Sequence, residues 1–420
     1  MRLGACAVVL AGAGAGVIAA SPSSARIGPV FEMQEVIVQL APGQSIEAFN
    51  AEHHSMTIDA IPEIPGAYLV AMVSRYNANL TAAVLESEPD VETAEANLTV
   101  AAPEIAATRI WPWTESTSEE LMTQYADQLI ELQAAQALST GAGVTVAVLD
   151  TGVQLDNAVL AGVLVPGADL VDDDGVPADE RNGIDDDGNG LIDEGAGHGT
   201  HVAGIVHLVA PDARIMPVRV LDSDGLATDW TVVKAMFAAT EMGADIVNLS
   251  FGRPGSADLL RSATQQIVDR GVVVVAAAGN EGRDRAQYPA ASRCAIAVAA
   301  SDSTDSLAPY TTIGSWVDTA APGTDIVSIH PFVGNGYASS SGTSMAAPFV
   351  AGQAALLLQI APRLSPAEVH AHIRASTSPL TSVPDQMPSV GRIDLLHSLE
   401  SAVARPWLDP ETVGVDDHCD

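Results

Sequence analysis

Ser344 lies in the stretch Ser341-Gly342-Thr343-Ser344-Met345-Ala346-Ala347-Pro348, where small residues crowd one hydroxyl. An apolar run from Phe349 to Leu358 follows, with Gly352 its only breaker, so the stretch reads as a loop feeding a buried helix. A hydroxyl at a helix N-terminus lies beside unpaired backbone N–H groups, the donors a developing oxyanion needs. Ser344 is therefore a candidate nucleophile, provided the chain supplies a base, a group to orient it and a second oxyanion donor. Three stretches offer them. Asp150 follows the apolar run Val144 to Leu149 within Asp150-Thr151-Gly152. His198 opens His198-Gly199-Thr200-His201-Val202-Ala203-Gly204, and Asn280 stands in Ala278-Gly279-Asn280-Glu281-Gly282 after the run Val272 to Ala277. Singly, each has a plainer reading: an Asx-turn, a structural or metal-binding histidine, a turn residue. His198 and His201 are three apart, but no glutamate stands where a zinc protease needs one.

The elements that must position these groups follow from hydrophobic periodicity. Nearly continuous β runs at Val144–Leu149, Arg214–Val220, Asp245–Leu249, Val272–Ala277 and Ala295–Ala299 fit strands covered on both faces. Helical segments lie between them at about 229–242 and 256–270, and another is expected over 121–138. Alternating strands and helices predict an α/β fold with a doubly wound, mostly parallel sheet flanked by helices, whose functional groups gather at the strands' carboxyl ends. Ahead of it, residues 34–100 read as a small α+β unit in the order strand, helix, strand, helix, strand, the pattern of a split βαβ, ferredoxin-like domain. A Pro- and Ser/Thr-containing linker at 101–120, where proteases would cut, leads to the large domain at 121–403.

The order Asp150, His198, Asn280, Ser344, each in its own motif, resembles the subtilisin-like serine peptidases, the subtilases, over about Tyr125 to Leu399. The combination is highly specific. The resemblance implies a serine endopeptidase acting on proteins or peptides, with Ser344 as nucleophile, His198 as base, Asp150 orienting it and Asn280 as oxyanion donor. It also implies that Ser250, Phe251 and Gly252 form one wall of the substrate cleft and Ala278 and Gly279 the other, with a proline that is often cis at Tyr288-Pro289. Arg253 and Gln287 stand where the family frequently has glycine; they narrow the pocket or point to solvent, and the preference for the residue before the cut stays open. Residues 34–100 resemble the family's inhibitory propeptide, implying a zymogen inhibited by its own N-terminal domain. The alternative is a catalytically silent binding or structural protein on the same scaffold.

Calcium is the metal the chain implies. In Asp185-Asp186-Asp187-Gly188-Asn189-Gly190-Leu191-Ile192-Asp193, oxygen ligands fall at Asp185, Asp187 and Asn189, a glycine follows, then the Leu191 carbonyl and Asp193. Ala196 stands where such loops expect a bidentate glutamate. Asp172-Asp173-Asp174-Gly175 is a second, weaker candidate, and a solvated acidic loop is the plainer reading of both. The net charge of −35 over 420 residues repels phosphate backbones, which argues against nucleic acid as a partner. Arg2 before an apolar stretch ending near Ala20, with small residues up to Ala25, reads as a signal peptide over 1–25 and predicts a secreted or periplasmic protein without a stable membrane span; a monomer is expected. Of the cysteines Cys6, Cys294 and Cys419, the last two would be left to pair after signal removal. The tail, 404–420, is acidic and without periodicity.

Overall fold

The computed structural model describes residues 32–106, 113–405 and 407–415. The expected signal peptide, Cys6, Cys419 and the end of the tail lie outside the described residues.

Seven strands form the main sheet in the order Thr319–Pro322, Ala295–Ser301, Val273–Ala277, Ile246–Leu249, Thr145–Asp150, Arg214–Arg219, Ala168–Asp169. Every pairing in it is parallel. The order doubles outward from the centre, so helices cover both faces and strand residues are buried on both sides, which is why the sequence runs are continuously apolar. One face packs against the helices His198–Val209 and Thr343–Ile360. The other packs against Asp229–Glu241 and Asp258–Asp269. Thr343–Ile360 is long and apolar enough to cross a membrane, but most of it is buried among the sheet and its neighbours, as a core helix is.

Pro348 sits inside that helix, and a proline there leaves the carbonyl four residues back without its helical donor. The orphan is the carbonyl of Ser344, and the Ser250 hydroxyl donates to it at 2.9 Å. This hydrogen bond couples the head of the core helix to the loop after the strand Ile246–Leu249.

The N-terminal unit is a four-stranded sheet, ordered Ser55–Ala60, Ala67–Ser74, Glu32–Leu40, Val91–Ala96, with the helices Ile46–His53 and Ala78–Leu85. The strand Ser55–Ala60 has no counterpart in the sequence reading. It is an edge strand of alternating half-buried and exposed residues, so its apolar signal is thin. The unit docks through an apolar face, where Ile37, Ile61, Ile64 and Leu69 join the buried cluster around Asp229–Glu241 and Asp258–Asp269, and through acidic side chains. Both Glu95 oxygens accept backbone N–H groups at the start of Asp258–Asp269, from Asp258 at 3.0 Å and Leu259 at 2.6 Å. That helix has no side-chain cap of its own, so the N-terminal unit supplies it. Asp59 accepts from Lys234, the chain's only lysine, at 2.6 Å and from the Trp230 indole at 3.1 Å.

Two further expectations change. The single helix over 121–138 is three short ones, Ser118–Thr123, Tyr125–Leu129 and Leu132–Gln136, because Gln124 is extended and Glu131 takes a left-handed conformation between them. The first residues of the expected linker are not free: Thr99–Ala101 is a strand paired with Leu226–Thr228, and Pro103–Ala106 is a helical turn.

Candidate active site

Asp150 ends its strand and is fully buried. Its Oδ1 accepts the Thr151 N–H at 2.8 Å and lies 2.7 Å from His198 Nδ1. A carboxylate there fixes the imidazole's orientation and favours the tautomer with its proton on Nδ1. The approach depends on Gly199, where a Cβ would fall 2.2 Å from the Gly152 carbonyl oxygen and 2.9 Å from Asp150 Cβ. Asp179, which nothing in the sequence marked, ties the two segments together. It accepts from Thr151 Oγ1 at 3.2 Å and from the Gly197 N–H at 2.8 Å. It also accepts from the Thr200 N–H at 3.1 Å and hydroxyl at 2.6 Å. Complete burial still pushes its carboxyl up to about 6 against those hydrogen bonds.

Ser344 is the second residue of the core helix, and its hydroxyl is fully enclosed. Asn280 lies in the loop after Val273–Ala277. Its Oδ1 accepts from the Thr343 N–H and hydroxyl, both at 3.0 Å, which fixes the orientation of the amide. Strand ends thus deliver Asp150 and Asn280, while helix starts deliver His198 and Ser344.

A fifth side chain stands among them. Glu104 Oε2 accepts from Ser344 Oγ at 2.8 Å and lies 3.4 Å from His198 Nε2, while Oε1 accepts from Asn280 Nδ2 at 3.0 Å. The Ser344 hydroxyl is also 2.9 Å from the Ser250 carbonyl oxygen, and His198 Nε2 has no hydrogen-bond partner among the described residues. Burial alone would push the His198 imidazole down, but Asp150, with Glu104 adding to it, raises it to about 10. Its neighbours His201 and His330 are neutral, both pushed down to about 3, first of all by burial. Trp113 lies over this group, its ring 5.2 Å from His201 and 4.4 Å from His330.

The segments expected to wall the cleft engage their neighbours mostly through backbone. Gly252 exchanges both backbone hydrogen bonds with Ala101, and Gly225 accepts from the Ala102 N–H. Phe251 is fully buried in the core, so it contributes main chain and packing to that wall. Arg253 does not point to solvent: it is buried, its guanidinium forked onto Asp229 at 2.9 and 2.6 Å. On the other wall the Gly279 N–H donates to Thr343 Oγ1 at 3.0 Å, and buried Gln287 leans on Gly279, where a Cβ would fall 2.9 Å from its Cγ. Ala278 is buried beneath. The Tyr288-Pro289 bond is cis.

The acidic loop leads into His198. Asp185, Asp187 and Asp224 offer carboxylate oxygens within 4.8 Å of one another. Asp224, distant in sequence, also accepts the Asp193 N–H at 2.8 Å, fastening the loop to the strand's exit. The Asn189 amide donates to Asp187 at 2.9 Å and to Glu194 at 2.6 Å. The Asp193 carboxylate turns elsewhere, to the N–H groups of Asn182 and Gly183. At the second acidic run, Asp172 is spent on Arg219 at 2.5 Å.

A parallel α/β sheet that gathers a serine, a histidine, an aspartate and an amide at its carboxyl edge carries the equipment of a serine hydrolase. The chain belongs to the subtilase family, whose pattern matches residues 141–392, and it is a serine-type endopeptidase. It is 41% identical to thermitase of Thermoactinomyces vulgaris over 244 residues, 56% of this chain and 81% of that one. To the thermophilic serine proteinase of Bacillus sp. (strain AK1) it is 36% identical over 342 residues, 77% of each. Among solved structures, fervidolysin from Fervidobacterium pennivorans, a keratinolytic enzyme related to subtilisin, superposes with a TM-score of 0.68 at 22% identity. That likeness of fold covers 88% of this chain and 61% of fervidolysin.

Proposed function

We propose that this endopeptidase is made as an exported zymogen and works through an acyl-enzyme. Ser344 attacks the peptide carbonyl, His198 takes its proton and returns it to the leaving amine, and Asp150 holds the imidazole and stabilises its charged form. The Asn280 amide and the Ser344 backbone N–H receive the oxyanion. The observation that carries this reading is that one carboxylate is gripped at once by Ser344 Oγ and Asn280 Nδ2 beside a histidine already paired with Asp150. A group with two oxygens on one carbon, held there, outlines the place where a reacting carbonyl would sit.

The cleft takes extended polypeptide through Gly252 and Gly225, in the way it takes Ala101 and Ala102. Residues 34–100 act as the intramolecular inhibitor, with maturation by a cut within 101–120, and the Arg2-led apolar segment directs export to the periplasm or the medium. Asp185, Asp187 and Asp224 are proposed to hold calcium; Asn189 would join them by turning its amide, whose NH₂ faces Asp187, and the Leu191 carbonyl is proposed as a further oxygen donor. The fit is one of donor chemistry: three carboxylates are drawn together from two separated segments, and a cation between them would offset the repulsion that their backbone N–H partners do not cancel. Calcium there would brace the loop that precedes His198 and take no part in bond-breaking.

Hydrolysis of a casein or peptide substrate by the processed enzyme tests the roles. Ser344→Ala is expected to lower kcat by on the order of 10⁶ and Asn280→Ala by about 10²–10³. Losses of equal size, or an active Ser344→Ala enzyme, would overturn the assignment and favour a silent scaffold or a different nucleophile.

A further inference from the structure

The segment leading to Glu104 enters the cleft as an extended chain and then leaves that path. Ala101 and Gly252 exchange two backbone hydrogen bonds, at 3.3 and 3.0 Å, so the next hydrogen-bonded pair of an antiparallel ladder would be Pro103 with Ser250. Proline has no N–H to give, and the ladder stops there. The Ser250 carbonyl lies instead 2.9 Å from the Ser344 hydroxyl. Ile105 N–H bonds back to the Ala102 carbonyl at 3.0 Å, which turns the main chain out of line at the residue where a scissile bond would otherwise be presented. What enters the pocket is the side chain of Glu104, only 7% exposed. Its Oε1 comes so close to Gly342 that any Cβ there would fall 1.7 Å away.

We propose that Glu104 is an internal ligand of the catalytic pocket: its side-chain carboxylate fills the position of a substrate's reacting carbonyl and, by separating Ser344 from His198, holds the intact chain inactive. This deepens, and rests on, the peptidase reading. The chemistry fits a ligand better than a substrate. A carboxylate is the least electrophilic of acyl groups, and attack on it would have to expel oxide, so Ser344 can hold it without turning it over. Both oxygens are used, Oε1 by the amide expected to stabilise an oxyanion and Oε2 by the nucleophile itself, the recognition a hydrolysed acyl product would receive. Ser344 and His198 share no hydrogen bond while the carboxylate stands between them, so the direct proton transfer that activates the serine is blocked. In this arrangement the strand at Ala101 supplies the address and Glu104 supplies the stop.

The test is the rate at which a fluorophosphonate probe labels the full-length chain, read by intact mass at short times so that only uncleaved molecules are counted. Wild type, Glu104→Ala, Glu104→Gln and Ala101→Pro are compared, each also after limited proteolysis has removed the N-terminal segment. Melting curves of the same variants on a Ser344→Ala background check that the fold survives. The expected result is that uncleaved Glu104→Ala and Glu104→Gln label at least about tenfold faster than wild type, the worth of one charge-assisted hydrogen bond, with folding unchanged. Labelling of both at the wild-type rate, with Ala101→Pro and clipped chains labelling readily, would overturn the proposal and assign the block to the strand alone. Chains that fail to label even after clipping would overturn the peptidase reading itself, and this proposal with it.

Discussion

Glu104, Asp150 and the imidazole between them form a charge arrangement with a definite pH signature. His198 titrates at about 10 in the intact chain, above the ordinary 6.5, so the stability it contributes is complete below about 6.5 and is lost as pH rises through about 10. On a Ser344→Ala background, the melting temperature of the intact chain is expected to fall across that interval. Glu104→Gln should move the upper end of the fall downward, since one of the two carboxylates raising the imidazole is gone. An identical profile in the two chains would mean that Glu104 does not bear on His198. A cationic His198 cannot act as a base, so in the processed enzyme kcat/KM should rise with a midpoint below about 10. Asp179 belongs to the same scale: Asp179→Ala leaves the Gly197 and Thr200 N–H groups and two hydroxyls without their acceptor, at about 1–3 kcal/mol for each buried group left unpaired. Urea unfolding checks it, and a change under 1 kcal/mol would contradict that bracing role. Asp150, His198, Asn280 and Ser344 were legible in the sequence because each carries a local signal, a strand run ending at it or glycine-rich helix entry around it. Glu104, Asp179 and Asp224 were not, because among 53 acidic residues nothing local sets three apart; only the folded chain brings Glu104 to Ser344 from 240 positions away.

At the scale of elements, the parallel strands were readable as continuous apolar runs, since burial on both faces erases alternation. What escaped was governed by single-residue conformations or by thin burial: the break at Glu131, the edge strand Ser55–Ala60, and the ordering of 99–106 by backbone pairing with the cleft. The helix Asp258–Asp269 depends for its cap on Glu95 of the N-terminal unit. Glu95→Ala is therefore expected to cost about 0.5–2 kcal/mol, the usual worth of an N-cap, and to speed limited proteolysis between the two units. Unaltered proteolysis would show that the Glu95 cap does not help hold the two units together. The acidic loop makes a separate prediction. Chelation should lower the melting temperature, by the equivalent of about 2.7 kcal/mol if calcium stands at a hundred times its dissociation constant. Asp224→Asn should remove most of that response, and a melt indifferent to both chelator and substitution would leave the loop a solvated turn.

Across the whole molecule, a small sheet caps one helix of a large α/β unit, sends a strand into its cleft and ends in a carboxylate at its centre. The composition bounded this only loosely: the strong negative charge argued against one class of partner, and the motif order pointed to the family. The closure of the site lies in contacts between units far apart in sequence, which no window of residues displays. The most direct test of the central claim is peptide mapping of the fluorophosphonate adduct on processed protein, wild type beside His198→Ala. The expected result is a single adduct on the peptide containing Ser344, at least about a hundredfold slower to form without the histidine; an adduct on another serine, none at all, or one indifferent to His198 would contradict it.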